Sequence, residues 1–85
     1  MKIPLKNENN PTFNRLRWQC RRGMLELDLY LMRYLEQKYA NASSDEQALF
    51  EILLSEPDPI LLEWFTGRLV PQDDKMAQLV CSIRA

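Results

Sequence analysis

Histidine is absent from the 85 residues, and with it the side chain that most often serves as a general base near neutral pH or as a metal ligand. Glycine occurs only at positions 23 and 67, so there is no Gly-x-Gly-x-x-Gly or Walker sequence to cradle a phosphate. The two cysteines, Cys20 and Cys81, stand far apart, at neither a metal-ligand spacing nor the spacing of a disulfide framework. Without a histidine partner they are not expected to act as catalytic nucleophiles. Both fall within apolar patterns, which predicts buried free thiols. No apolar run approaches the roughly 18 residues that would suggest a membrane-spanning helix. The opening stretch, Met1 to Asn10, is polar and has neither the apolar core of a signal peptide nor an arginine-rich transit pattern. A flexible segment is therefore expected over 1–10, followed by one helical domain over 11–85, with the cytoplasm as the compartment. No active site is expected. These absences describe a binding protein.

What the chain does have is apolar residues at helical spacing, with prolines between the runs and not inside them. Asn10 before Pro11 reads as a cap followed by a first-turn proline, and Phe13, Leu16 and Cys20 then share one face of a first helix. Trp18 falls off that stripe, beside Asn14, Arg15 and Arg22, where it can pack on a neighbouring helix or, flanked by arginines, serve as a binding hot spot. Gly23 reads as the left-handed residue that ends this helix. A second helix is expected from Met24 to about Tyr39. Met24, Leu27, Tyr30, Leu31, Met32, Tyr34 and Leu35 cover more than half its circumference, which predicts the central helix of a bundle. Asp28 interrupts this surface and needs a partner, an arginine of the first helix or nearby backbone amides, because an unpaired buried carboxylate costs several kcal/mol.

Ser43 and Glu46 have capping-box spacing ahead of a third helix with a Leu49, Ile52 and Leu53 stripe, widened by Phe50 and Leu54. Asp58 as N-cap, with Pro59 in the first turn, opens a fourth helix that packs Ile60, Leu61, Trp64 and Phe65 inward and ends at Gly67. Pro71 introduces a fifth, with Met76, Leu79, Val80 and Ile83 as its stripe. The acidic pairs Asp45-Glu46 and Asp73-Asp74 sit where helices begin and are explained by capping. The expected fold is all-α, a compact five-helix bundle.

Charge is divided along the chain. Lys2, Lys6, Arg15, Arg17, Arg21 and Arg22 face a single anion, Glu8, in the first 22 residues, a local net charge of +5 within a total of −1. Such a basic end can steer an acidic partner, or can be no more than the polar side of an amphipathic helix. A nucleic-acid reading fails because the helix after Gly23 carries Glu26, Asp28 and several leucines, which would meet phosphates and base edges badly. At the junction itself, Gly23 can serve only to turn the chain, Arg22 only to answer a helix end, and Glu26 only to reach back to a helix start. The residues alone leave this scaffold role and a docking role open.

The stretch Arg15-Leu16-Arg17-Trp18-Gln19-Cys20-Arg21-Arg22-Gly23-Met24-Leu25-Glu26-Leu27-Asp28 resembles the signature of the succinate dehydrogenase flavinylation factors, small assembly proteins with an Arg-Gly-x-x-Glu motif. Asp58-Pro59-Ile60-Leu61-Leu62-Glu63-Trp64 and Leu79-Val80-Cys81-Ser82-Ile83-Arg84 are similar to that family in order and spacing. The departures are small: isoleucine at position 60, and cysteine at position 20, where a small residue such as serine is common. The resemblance implies a five-helix bundle of the bacterial cytoplasm, with mitochondrial relatives. It implies an assembly factor that binds the flavoprotein subunit of succinate dehydrogenase, and of fumarate reductase in some bacteria, and promotes covalent FAD attachment to a histidine of that subunit. FAD would be handled on the partner and not bound stably by the factor, and a monomer is expected. By the same resemblance Arg22, Gly23 and Glu26 belong to the partner-binding surface, with Arg15, Trp18 and Met24 beside them; Asp28 and Asp58 are expected, from their places in the helix pattern, to be structural polar residues. The rival reading is an antitoxin-like or regulatory helical module with a different protein partner.

Overall fold

The computed structural model describes residues 11–85; the expected flexible segment 1–10 and the Asn10 cap lie outside them. Five α-helices follow in order: α1 (Pro11–Cys20), α2 (Leu25–Gln37), α3 (Ser44–Leu53), α4 (Asp58–Thr66) and α5 (Asp74–Arg84). A 3-10 turn, Tyr39–Asn41, joins α2 to α3, and the described residues include no strand. The all-α expectation is met.

α2 is the central element, packed against α1, α4 and α5, with α3 lying on α5. Its buried side is Leu27, Leu31, Tyr34 and Leu35, the spacing of one helical face. Against it come Phe13, Leu16 and Cys20 of α1, Leu61 and Phe65 of α4, and the full α5 stripe of Met76, Leu79, Val80 and Ile83. Each fully buried leucine or phenylalanine contributes about 1.5–3 kcal/mol relative to exposure. These side chains hold the bundle, and no buried side-chain nitrogen or oxygen among the described residues lacks a partner.

Several helix ends follow their expected chemistry. The Ser43 hydroxyl accepts from the Glu46 N–H at 3.1 Å, and an Asp73 oxygen accepts from the Met76 N–H at 2.9 Å. Gly67 closes α4 in the left-handed region at φ 84°. Other ends differ. Pro57 is the N-cap of α4 and Asp58 its first residue, which frees the Asp58 carboxylate for a long-range partner. Pro71 is buried ahead of α5, and the helix itself waits for the Asp73 cap. α2 is shorter than expected at both ends: Met24 is extended, and at Lys38 the backbone leaves helical geometry and tightens into the 3-10 turn.

Two core assignments need correction. Ile52 is 55% exposed, and Phe50 takes the inner position on α3. Two stripes overlap on that helix, and the choice between them is made by tertiary contact: Phe50 packs in tilted geometry against Tyr34 at 4.7 Å between centroids and against Tyr39 at 5.7 Å. Cys81 is exposed, since it lies beyond the edge of the α5 stripe, and only Cys20 is the buried thiol that the pattern predicts for both.

Candidate partner-docking site

The chain between α1 and α2 is four residues long and has no regular structure. α1 stops at Cys20, where the Arg21 N–H donates to the Trp18 carbonyl at 3.1 Å. Gly23 is left-handed, at φ 78°, but it lies beyond the helix end and turns the linker instead of capping α1. A Cβ added at Gly23 would meet nothing within 4 Å. The glycine is therefore required by its backbone angle, and the space in front of it is open.

Arg22 is the residue whose place differs most from expectation. Its guanidinium turns into the bundle, leaving the side chain 14% exposed. Nε donates to the Gln19 carbonyl at 2.9 Å, and Nη1 to the Glu56 carbonyl at 3.3 Å and to Asp58 Oδ1 at 3.0 Å. Nη2 donates to the Leu54 carbonyl. Leu54 and Glu56 are at the end of α3, where unpaired carbonyls concentrate partial negative charge. Arg22 thus ties the end of α1 to the α3–α4 turn. Its own N–H donates to Asp28 Oδ1 at 2.7 Å, which supplies the partner that Asp28 needs. The guanidinium is occupied inside the protein and does not face outward.

Two other expected surface residues also point elsewhere. Arg15 reaches across to Glu51 at 3.2 Å on α3, an exposed pair worth at most about 1 kcal/mol. Met24 is half-buried and packs against the core. Trp18 and Glu26 do face solvent. Trp18 is 74% exposed, with the Arg21 guanidinium 5.7 Å from its ring centroid, and with Asn14 and Arg17 beside it. Glu26 is exposed and has no partner among the described residues, so it does not reach back to cap α2. Around the turn Trp18, Arg21, Gly23 and Glu26 are exposed, while Arg22, Asp28 and Asp58 hold the backbone from inside.

Leu25 and Leu29, on successive turns of α2 and 75% and 63% exposed, were not expected at the surface. Their signal was present in the sequence, since both leucines fall off the buried stripe as Trp18 does. Burial also leaves its mark behind the turn, where it pushes the Cys20 thiol up to about 12 against the lowering field of Arg22. Among the described residues no helix is long and apolar enough to cross a membrane.

Residues 14–85 match the family described as "Flavinator of succinate dehydrogenase". The chain is 39% identical over 70 residues to the "FAD assembly factor SdhE" of Coxiella burnetii, covering 82% of this chain and 85% of that protein. It is 38% identical over 80 residues to the protein of the same name from Idiomarina loihiensis, covering 92% and 89%. The Shewanella oneidensis protein of that name is 41% identical over 70 residues, covering 82% and 85%. With the match running from the middle of α1 to the last residue, this chain belongs to the succinate dehydrogenase flavinator family.

Proposed function

We propose that this member of the family docks on the flavoprotein subunit of succinate dehydrogenase, and on that of fumarate reductase where one is present, and promotes covalent attachment of FAD to it. It does so as a cytoplasmic monomer, not as an enzyme: the chain has no histidine to act as base or to carry a histidyl-flavin bond. FAD stays on the partner, since the chain has no glycine-rich phosphate loop to hold a dinucleotide. The attachment requires a partner histidine and the flavin methyl group in reacting geometry, and a rigid docked surface can supply that order.

The observation that carries the proposal is the α1–α2 junction. An exposed indole and an unpaired carboxylate flank a glycine with open space in front of it. Trp18 offers the large apolar area of an interface anchor, and Gly23 lets a partner approach the backbone closely. Arg22 contributes by fixing this backbone from inside, so that the face is formed before the partner arrives. The test is flavin fluorescence of the dehydrogenase subunit in cells that lack this gene, complemented with wild type, Gly23→Arg or Glu26→Ala. The wild-type chain restores the fluorescent band and the variants do not. Full restoration by both variants would remove the junction from the proposal.

A further inference from the structure

We infer that the docking face continues along α2 into the groove between α2 and α4, and that this groove takes an apolar side chain with a neighbouring carboxylate from the same flavoprotein partner. The inference rests on the reading proposed above. A scattered exposed leucine needs no explanation, but Leu25 and Leu29, on successive turns of α2 and 75% and 63% exposed, form a patch. Beyond Leu29 the surface drops into a groove of about 750 Å³. One wall is Glu26, Leu29 and Arg33 of α2, and the other is Leu62 and Thr66 of α4. The base is Tyr30 and Phe65, their rings tilted to one another with centroids 5.3 Å apart. A space of this size, open along its length, suits several side chains of a polypeptide better than an enclosed small molecule.

Two features choose the occupant. The first is continuity: Glu26, three residues after Gly23, belongs both to the Arg-Gly-x-x-Glu motif and to the groove wall, so the groove begins at the motif itself. The second is charge. The Arg84 guanidinium lies over Gly67, 3.4 Å from where a Cβ would stand, and has no acidic partner among the described residues. Arg33 beside it is partly engaged, donating to the carbonyls of Ile83 at 3.0 Å and Ala85 at 2.8 Å. Among the described residues, the groove therefore has an unpaired carboxylate at the Glu26 end and a guanidinium without an acidic partner at the Arg84 end. A segment that fits it places its apolar anchor over Tyr30 and Phe65 and its own carboxylate at Arg84.

The test uses the full chain and the purified, unflavinylated flavoprotein subunit, with Kd measured by titration calorimetry for Leu29→Glu, Arg84→Glu, Gly23→Arg and, as a control on a separate exposed apolar site, Ile52→Glu. Thermal melting confirms that each variant folds. The groove proposal expects Leu29→Glu to weaken binding at least tenfold, Arg84→Glu to weaken it several-fold, and Ile52→Glu to bind as wild type. Wild-type binding by Leu29→Glu and Arg84→Glu, with binding lost in Gly23→Arg, overturns the groove and leaves the junction reading standing. Wild-type binding by all of them overturns both. A dimer of the free chain that Leu29→Glu dissolves, with flavoprotein affinity unchanged, assigns the groove to a second copy and also overturns the proposal.

Discussion

The Arg22 guanidinium and the Asp58 carboxylate lie 36 positions apart in sequence and meet at 3.0 Å, the Arg22 side chain largely covered and that of Asp58 about two-thirds so. Their pairing turns the arginine of the family motif into the bundle, behind the face proposed for docking instead of on it. Removing a charged group that serves four acceptors leaves several of them unpaired, and hydrogen bonds to charged groups are worth about 1.5–3 kcal/mol each. Arg22→Ala is expected to lower stability by about 2–3 kcal/mol and Tm by roughly 10–20 °C in a domain of this size. A double-mutant cycle with Asp58→Ala, read by urea denaturation, should give a coupling of about 1–2 kcal/mol. Additive losses would mean that the carbonyls of Leu54 and Glu56 alone hold the arginine.

Gly23 separates backbone strain from access. At φ 78° any L side chain is strained, by about 1–2 kcal/mol, so Gly23→Ala and Gly23→Arg should melt lower by similar amounts. Only the arginine projects far into the open space in front of the turn. Flavinylation should survive in Gly23→Ala and fail in Gly23→Arg; equal failure of the two would point to the turn's conformation as the decisive property.

Trp18 and Glu26 have little to do inside the bundle. Trp18→Ala and Glu26→Gln are each expected to change the free energy of unfolding by no more than about 0.5 kcal/mol. Loss of an interface tryptophan commonly costs about 2 kcal/mol or more, so Trp18→Ala should weaken capture of the flavoprotein about thirtyfold. A Trp18→Ala protein that melts early and binds normally would place the indole in the scaffold.

The two cysteines should react very differently. Cys81 is exposed and is expected to label rapidly with a thiol reagent, whereas Cys20 should label only as fast as the protein opens. The folded Cys20 thiol keeps its proton up to about 12, while the ordinary value is 9.0, chiefly because burial disfavours the thiolate. Tyr34 is also held well above its ordinary 10.0, first by burial and then by the hydrogen bond that its hydroxyl donates to Glu46 at 2.5 Å. Between the unfolded and folded values the native state binds more protons, so stability is full below about pH 9 and falls as pH rises above it. Denaturation followed from pH 8 to 11 should show that decline, and Tyr34→Phe should reduce its upper part.

Much of the architecture was legible from apolar spacing, because a helix must bury one face and the stripe names that face. The α5 stripe, the Ser43 and Asp73 caps and the left-handed Gly67 and Gly23 all follow from residues within a few positions of one another. The motif could also be read there, as could the place of Trp18 off the stripe, but a tryptophan in that position can equally pack on a neighbouring helix, and only the packed bundle left it exposed. What needed the tertiary structure was direction for side chains long enough to choose. Arg22 could answer the end of α1, a partner, or another helix, and the α3–α4 turn decided it by bringing carbonyls and Asp58 within reach. Phe50 displaced Ile52 from the core for the same kind of reason, because only the assembled bundle sets an aromatic seat between Tyr34 and Tyr39. Local periodicity determines which helices form and which way they face, whereas a long polar side chain's partner depends on distances that exist only once those helices have packed.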